Sequence, residues 1–170
     1  MKIVLCGFMG CGKSSIGRRL AGLLNWEFID MDAFIEQQEG MTVSEIFAQK
    51  GEGEFRKMET EAVKALMIKE NVIVASGGGT VMNPVNVEEI HKGGGVIYFL
   101  GVPLAALQER LKNDKRRPLL QKPNRREVIA ELFGKRYDKY LNAADVKVDA
   151  GAPAVWLAKQ LAQKIKDEEI

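Results

Sequence analysis

The chain has 170 residues, 46% of them hydrophobic and 28% charged, an ordinary globular composition for one domain, with enough apolar material to bury its own core. A formal net charge of +2 is too small to imply a nucleic-acid or membrane partner, and no apolar run approaches the roughly 20 residues that span a bilayer. The two cysteines, Cys6 and Cys11, have no second pair with which to complete a zinc site or a disulfide framework.

The apolar opening Met1–Cys6 is broken by Gly10, Gly12 and Lys13, and no small-residue cleavage site follows. It therefore reads as a strand at Ile3–Cys6 and not as a signal peptide, and a cytoplasmic monomer or weak oligomer is expected. A glycine-rich turn leads into a helix near Ser14–Leu24, then a second short strand at Glu27–Asp30 and helical segments from about Asp32 to Lys69. Val72–Ala75 is a third strand, closed by Gly77-Gly78-Gly79. A helix around Val85–His91 passes through Gly93-Gly94-Gly95, read as a helix cap and turn, into the strand Val96–Leu100. Pro103 can open a helix running to about Lys112. After a basic stretch come a helix near Glu127–Leu141, the strand Asp145–Val148 and a helix from Pro153 onward. Short apolar runs alternating with helical patterns mark βαβ units around a parallel sheet. No Pro-, Gly- or Ser-rich linker divides the chain, so residues 1–170 are expected to form a single α/β domain. His91 reads as a surface residue with no metal or catalytic part.

Gly7-Phe8-Met9-Gly10-Cys11-Gly12-Lys13-Ser14 fits the phosphate-loop pattern G-x-x-x-x-G-K-[ST] without a mismatch. It follows a strand and opens a helix, as the chemistry requires. The glycines allow backbone N–H groups to surround phosphate oxygens, and the helix N-terminus adds partial positive charge. Lys13 is placed on the β- and γ-phosphates and the Ser14 hydroxyl on Mg²⁺, with Gly10, Cys11, Gly12 and Ser15 completing the nucleotide site. A dinucleotide fingerprint does not fit, because Ser15 stands where the third glycine belongs. A regulatory GTPase needs N-K-x-D or T-K-x-D, and protein kinases need H-R-D and D-F-G; the chain has none of these. It is also short for a motor or transporter ATPase. A small-molecule kinase using ATP with Mg²⁺ remains, the alternative class being a non-metabolic P-loop switch.

Together with the phosphate loop, Asp30-Met31-Asp32, the run Gly51–Glu59 (GEGEFRKME), Gly77-Gly78-Gly79, Arg117-Pro118-Leu119-Leu120 and Arg136-Tyr137 follow one another in an order and spacing that resemble the shikimate kinase family over nearly the whole chain. The resemblance implies a three-layer P-loop fold with a five-stranded parallel sheet of order 2-3-1-4-5 flanked by helices, and a mobile lid. It implies transfer of the γ-phosphoryl group of ATP to the 3-hydroxyl of shikimate, in the pathway to chorismate and the aromatic amino acids. Gluconate and nucleoside-monophosphate kinases share the fold and are the runner-up activities.

Residue by residue, the resemblance places Arg56 and Arg136 on the acceptor carboxylate, for which arginine's planar fork is suited. Glu59, three residues after Arg56 on the same helix face, can hold that guanidinium. Phe47 and Phe55 are candidates for an apolar wall or for core packing. Asp32 is placed on the acceptor hydroxyls and Asp30 near the Mg²⁺ shell through water, against the ordinary alternative that each caps a helix. Gly77, Gly78 and Gly79 would let backbone approach the substrate, and Ser76 would bind a water on the metal.

Residues 33–60 are thereby assigned to acceptor binding and 112–126 to the lid. The lid carries seven basic residues (Lys112, Lys115, Arg116, Arg117, Lys122, Arg125, Arg126) against Asp114 alone. No aromatic interleaves these charges, which weakens an RNA-binding reading. Arg117 is placed on the transferred phosphoryl group, where positioning and charge neutralisation do most of the catalysis. Arg110 matches an arginine that stacks on adenine. The match weakens after the last strand, where Asp149-Ala150-Gly151-Ala152-Pro153 lacks the arginine that family members often carry.

Overall fold

The computed structural model describes residues 1–169. In chain order the elements are β1 (Lys2–Cys6), α1 (Lys13–Leu24), β2 (Glu27–Asp30), α2 (Met31–Glu39), α3 (Val43–Leu66), β3 (Val72–Ala75), α4 (Pro84–Lys92), β4 (Gly95–Gly101), α5 (Leu104–Leu111), α6 (Arg125–Ala143), β5 (Val146–Asp149) and α7 (Ala154–Glu168). Two 3-10 turns, Thr80–Met82 and Pro118–Leu120, lie between them.

The strands form one parallel sheet in the order β2-β3-β1-β4-β5, as expected. Its centre is the most apolar part of the chain. Ile3, Val4 and Leu5 of β1 and all of β3 are buried, as a sheet covered by helices on both faces demands. The edge strands β2 and β5 are four residues each and carry charged positions. Helix α1 packs against α7 and β3, while α4 and α6 pack against β4.

The helical stretch after β2 is divided into two helices. Gly40 (φ 66°) ends α2, and the Thr42 hydroxyl accepts from the Glu45 N–H at 3.1 Å to start α3. Helix α3 is itself broken at Gly51, whose backbone (φ 84°, ψ 167°) suits only a residue without a side chain. The last strand begins one residue later than its sequence suggests, because the Asp145 carboxylate turns back to accept from the Ile97 N–H at 2.7 Å. Gly93 and Gly94 form the expected cap and turn, and Gly95 already belongs to β4. His91 pairs with Asp145 at 2.9 Å on the surface.

Parallel strands all deliver their C-terminal ends to one edge of the sheet. The phosphate loop leaves β1 there, Asp30 ends β2 there and Gly77–Gly79 leaves β3 there. This is where open α/β sheets bind ligands.

Candidate active site

A cavity of about 500 Å³ opens at that edge. Gly10, Gly12, Lys13, Ser14 and Ser15 form one wall, and Asp30 and Asp32 another. Arg56, Gly77, Gly78, Gly79 and Arg136 close the far side, with Arg117 at the rim. Residues from every major segment of the predicted site thus meet in one place. Cys11 and Arg110 do not line it. The Cys11 side chain is buried and its N–H donates to the Phe8 carbonyl at 3.1 Å. Arg110 lies outside, its Nη1 donating to the Gly10 carbonyl at 3.0 Å.

The loop has the backbone of an anion cradle. Gly12 is left-handed (φ 99°) and caps α1, so the first free N–H groups of the helix face the cavity. Lys13 Nζ donates to the Gly7 carbonyl at 2.7 Å and lies 3.3 Å from that of Phe8. The Cys6 thiol beneath the loop is pushed up to about 12, chiefly by burial, which makes it a packing residue.

The two aspartates differ in kind. Asp30 is the cap of α2: its Oδ1 accepts from the Ala33 N–H at 3.1 Å, while its Oδ2 accepts from the Ser14 hydroxyl at 2.9 Å. Asp32 lies within the first turn of α2 and caps nothing. Its Oδ1 is buried with no partner. Burial, then the neighbouring charges of Asp30 and Glu59, push its carboxyl up to about 6, with Lys13 acting in the opposite sense. An unpaired carboxylate oxygen with a raised pKa, facing a cavity, is poised to take a hydrogen bond or a proton.

The neighbouring oxygens of Ser14 and Asp30 are hard donors of the kind Mg²⁺ takes. No group of three or more His, Cys, Asp or Glu side chains suited to a metal occurs among the described residues. One hydroxyl and one carboxylate fit a Mg²⁺ ion that keeps its waters and arrives with phosphates, not one caged by protein alone. Ser76 also lines the cavity; its hydroxyl donates to the Leu5 carbonyl at 2.9 Å and keeps lone pairs that can accept from a water.

The arginines close on the glycine turn from two sides. A β-carbon on Gly79 would meet Arg56 Nη1 at 2.7 Å, and one on Gly78 would meet Arg136 Nη1 at 3.1 Å. Arg56 Nη1 donates to Glu59 at 2.5 Å. On the other side the Tyr140 hydroxyl donates to the Gly78 carbonyl at 2.5 Å, and the Tyr140 ring stacks on Phe99. Phe55 lines the cavity, whereas Phe47 lies behind it with the ring centroids 4.9 Å apart. Val43, Thr80 and Tyr140 went unnoticed in the sequence. An isolated Val, Thr or Tyr in a helix or turn carries no pattern that separates a site residue from a packed one.

The segment 112–126 is anchored by Arg125, which donates to the Leu120 carbonyl at 2.6 Å and to the Lys112 carbonyl at 2.7 Å. Arg117 is paired with Asp114. Asp114 also accepts from the N–H groups of Arg116 and Arg117 at 3.0 Å each. After β5 the turn is held by the Ala150 N–H on the Gly101 carbonyl at 2.8 Å.

The arrangement offers an anion cradle at one end, a pair of guanidinium groups at the other, and a carboxylate between them. It can hold two anionic molecules with a proton acceptor at their junction.

The chain matches a family profile described as "Shikimate kinase" over residues 9–167. It is 47% identical over 150 residues to a shikimate kinase of Pelotomaculum thermopropionicum, covering 88% of this chain and 86% of that one. Its fold superposes on a shikimate kinase from Acinetobacter baumannii in complex with shikimate with a TM-score of 0.90, at 34% identity, over 99% of this chain and 94% of that one. A gluconokinase from Sinorhizobium meliloti gives a TM-score of 0.54 at 18% identity, a likeness of fold alone.

Proposed function

This chain belongs to the shikimate kinase family, and on that premise we propose that it transfers the γ-phosphoryl group of ATP to the 3-hydroxyl of shikimate. The observation that carries this is the pair Arg56 and Arg136 converging on the Gly78–Gly79 turn, in the same cavity as Asp32 and the phosphate loop. A small anionic polyol is what such a pocket selects. Two planar guanidinium forks take its carboxylate, and the unpartnered Asp32 Oδ1 takes a hydroxyl.

The phosphate loop holds the triphosphate through its N–H groups, with Lys13 leaving the Gly7 carbonyl for the β- and γ-phosphates. When bound with ATP, Mg²⁺ neutralises the charge of those phosphates, and Ser14, with Asp30 through a water, would hold it. Residues 33–60 bear the acceptor and 112–126 form the lid. Arg117 exchanges Asp114 for the phosphoryl oxygens as the lid closes, which also excludes water. The acceptor hydroxyl gives its proton to Asp32 as its oxygen bonds to the γ-phosphorus. The bond from that phosphorus to the β,γ-bridging oxygen breaks, and ADP leaves. A loose transition state asks only for a weak base. The protein acts on these two small molecules as a monomer. No described helix is long and apolar enough to cross a membrane.

The test is coupled ADP release with shikimate, gluconate and CMP in parallel. Mg²⁺- and shikimate-dependent turnover is expected. Faster turnover with gluconate or CMP and none with shikimate would overturn the assignment.

A further inference from the structure

Arg56 is steered by a chain of buried polar groups that reaches well behind the cavity. Glu59 is a carboxylate only 1% exposed, and its two oxygens are divided between two partners. Oε1 accepts from Arg56 Nη1 at 2.5 Å, and Oε2 accepts from the Thr80 hydroxyl at 2.8 Å. Thr80 is fully buried and begins the 3-10 turn that closes the glycine segment: its N–H donates to the Gly77 carbonyl at 3.2 Å. Asn86, on α4 and 1% exposed, donates from Nδ2 to the Thr80 carbonyl at 2.9 Å. Its Oδ1 accepts from the Thr60 hydroxyl at 2.7 Å, one helical turn beyond Arg56 on α3. The bonds run from α3 through α4 and the turn and back to α3.

We propose that Thr80, held in place by Asn86, is a positioning residue that sets which edge of the Arg56 guanidinium faces the acceptor. The reason lies in how Glu59 shares its oxygens. Guanidinium and carboxylate prefer the bidentate fork, with two parallel N–H bonds. Here the Thr80 hydroxyl occupies Oε2, so Glu59 holds Arg56 through Nη1 alone and engages none of its other donors, of which Nη2 reaches Glu52 at 3.3 Å. Without that hydroxyl, Oε2 is a buried, unsatisfied charge acceptor. The nearest remedy is for Glu59 to rotate and take a second Arg56 donor, which turns the fork away from the substrate. Glu52, the other carboxylate on Arg56, lies at 3.3 Å on the exposed side and cannot hold the orientation.

The inference rests on Arg56 binding the acceptor carboxylate, and the variants separate the two. Thr80→Val keeps the shape and removes the hydroxyl, Thr80→Ser restores it, and Arg56→Lys tests the site itself. KM values for shikimate and ATP are measured for each. For Thr80→Val the shikimate KM should rise about tenfold, the worth of one charge-assisted hydrogen bond, with kcat and the ATP KM nearly unchanged. Thr80→Ser should return it close to wild type, which a loss of packing would not do. An unchanged shikimate KM in Thr80→Val beside a raised one in Arg56→Lys overturns the positioning role. So do equal losses for both substrates that Thr80→Ser leaves in place. An unchanged KM in Arg56→Lys overturns instead the reading of Arg56 beneath it. Should Thr80→Val not fold, Thr60→Val breaks the same chain of bonds nearer the surface; a smaller but selective rise in shikimate KM supports the role, and no rise overturns it.

Discussion

Gly79 lies so close to Arg56 that a methyl group on its α-carbon would stand 2.7 Å from Nη1. The Gly79 backbone is ordinary, with φ at −105°, so neither a left-handed turn nor strain demands glycine there. The demand comes from the guanidinium, which occupies the space a side chain would take. The glycine segment is thus shaped as much by the arginines that lean on it as by any need for substrate to approach backbone.

Gly79→Ala should therefore fold normally and bind the acceptor badly. We expect the shikimate KM to rise about tenfold or more, since Arg56 must shift by several tenths of an ångström, with little change in the ATP KM. Gly51→Ala makes the opposite case. Its β-carbon would meet nothing within 4 Å, but φ is 84° with ψ at 167°, a region all but reserved for glycine, so the cost appears in thermal stability, roughly 1–3 kcal/mol. Kinetics and melting curves for the pair decide; a wild-type shikimate KM in Gly79→Ala would refute the close-approach argument.

Asp32→Asn tests the proton acceptor. Were Asp32 a helix cap, Asn would replace it with little effect, because the two cap about equally. The cap is Asp30, so the substitution removes only charge and basicity. Turnover should fall by about 10²–10⁴. The folded protein should become more stable above pH 7, on the order of 1–2 kcal/mol, because a buried like-charge neighbour of Asp30 and Glu59 has been neutralised. Near-normal kcat would leave Asp32 a passive hydroxyl contact.

The same group predicts a pH dependence with a definite sign. Its carboxyl titrates at about 6 when folded, against 3.8 for the free side chain. The folded state holds this proton more tightly, so the stabilisation is full below 3.8 and is lost as pH rises through about 6. Catalysis runs the other way, because the base form is the active one. For the free enzyme, kcat/KM for shikimate should fall as pH drops through that same value. A profile flat from pH 5 to 8 would show that Asp32 does not control the reaction.

Lys13→Ala and Arg117→Ala each remove a positive group from the phosphoryl oxygens. Each should lower kcat by about 10²–10³ or more, with folding intact. Arg117 is engaged by Asp114 in this structure, so on the proposed mechanism it must exchange that partner for the phosphoryl oxygens. Wild-type turnover for Arg117→Ala would return residues 112–126 to the status of a solvated basic loop.

Arg136→Lys keeps the charge but loses the fork. Shikimate affinity should weaken while ATP affinity stays nearly constant, measured by titration of each ligand. Equal weakening of both would point to a folding or lid defect.

Sequence by itself determined the strands, the parallel α/β class and the phosphate loop, while the strand order and the acceptor chemistry came with the family resemblance. Local signals suffice for the former: a phosphate loop is contiguous, an apolar run of four or five residues marks a buried strand, and glycine marks the turns. The motifs bearing Arg56, Arg117 and Arg136 are likewise short runs, readable wherever they fall. What tertiary structure alone decided depends on groups far apart in the chain meeting in a low-dielectric interior. Which aspartate caps and which is left bare was undecidable from Asp30-Met31-Asp32, because the answer is set by the Ser14 hydroxyl, the Ala33 N–H and the charge of Glu59. The roles of Thr80, Asn86 and Tyr140 were invisible for the same reason. A hydroxyl or amide acquires its meaning from the partner it is buried against, and the partners of Thr80 and Tyr140 lie 21 and 62 residues away in Glu59 and Gly78.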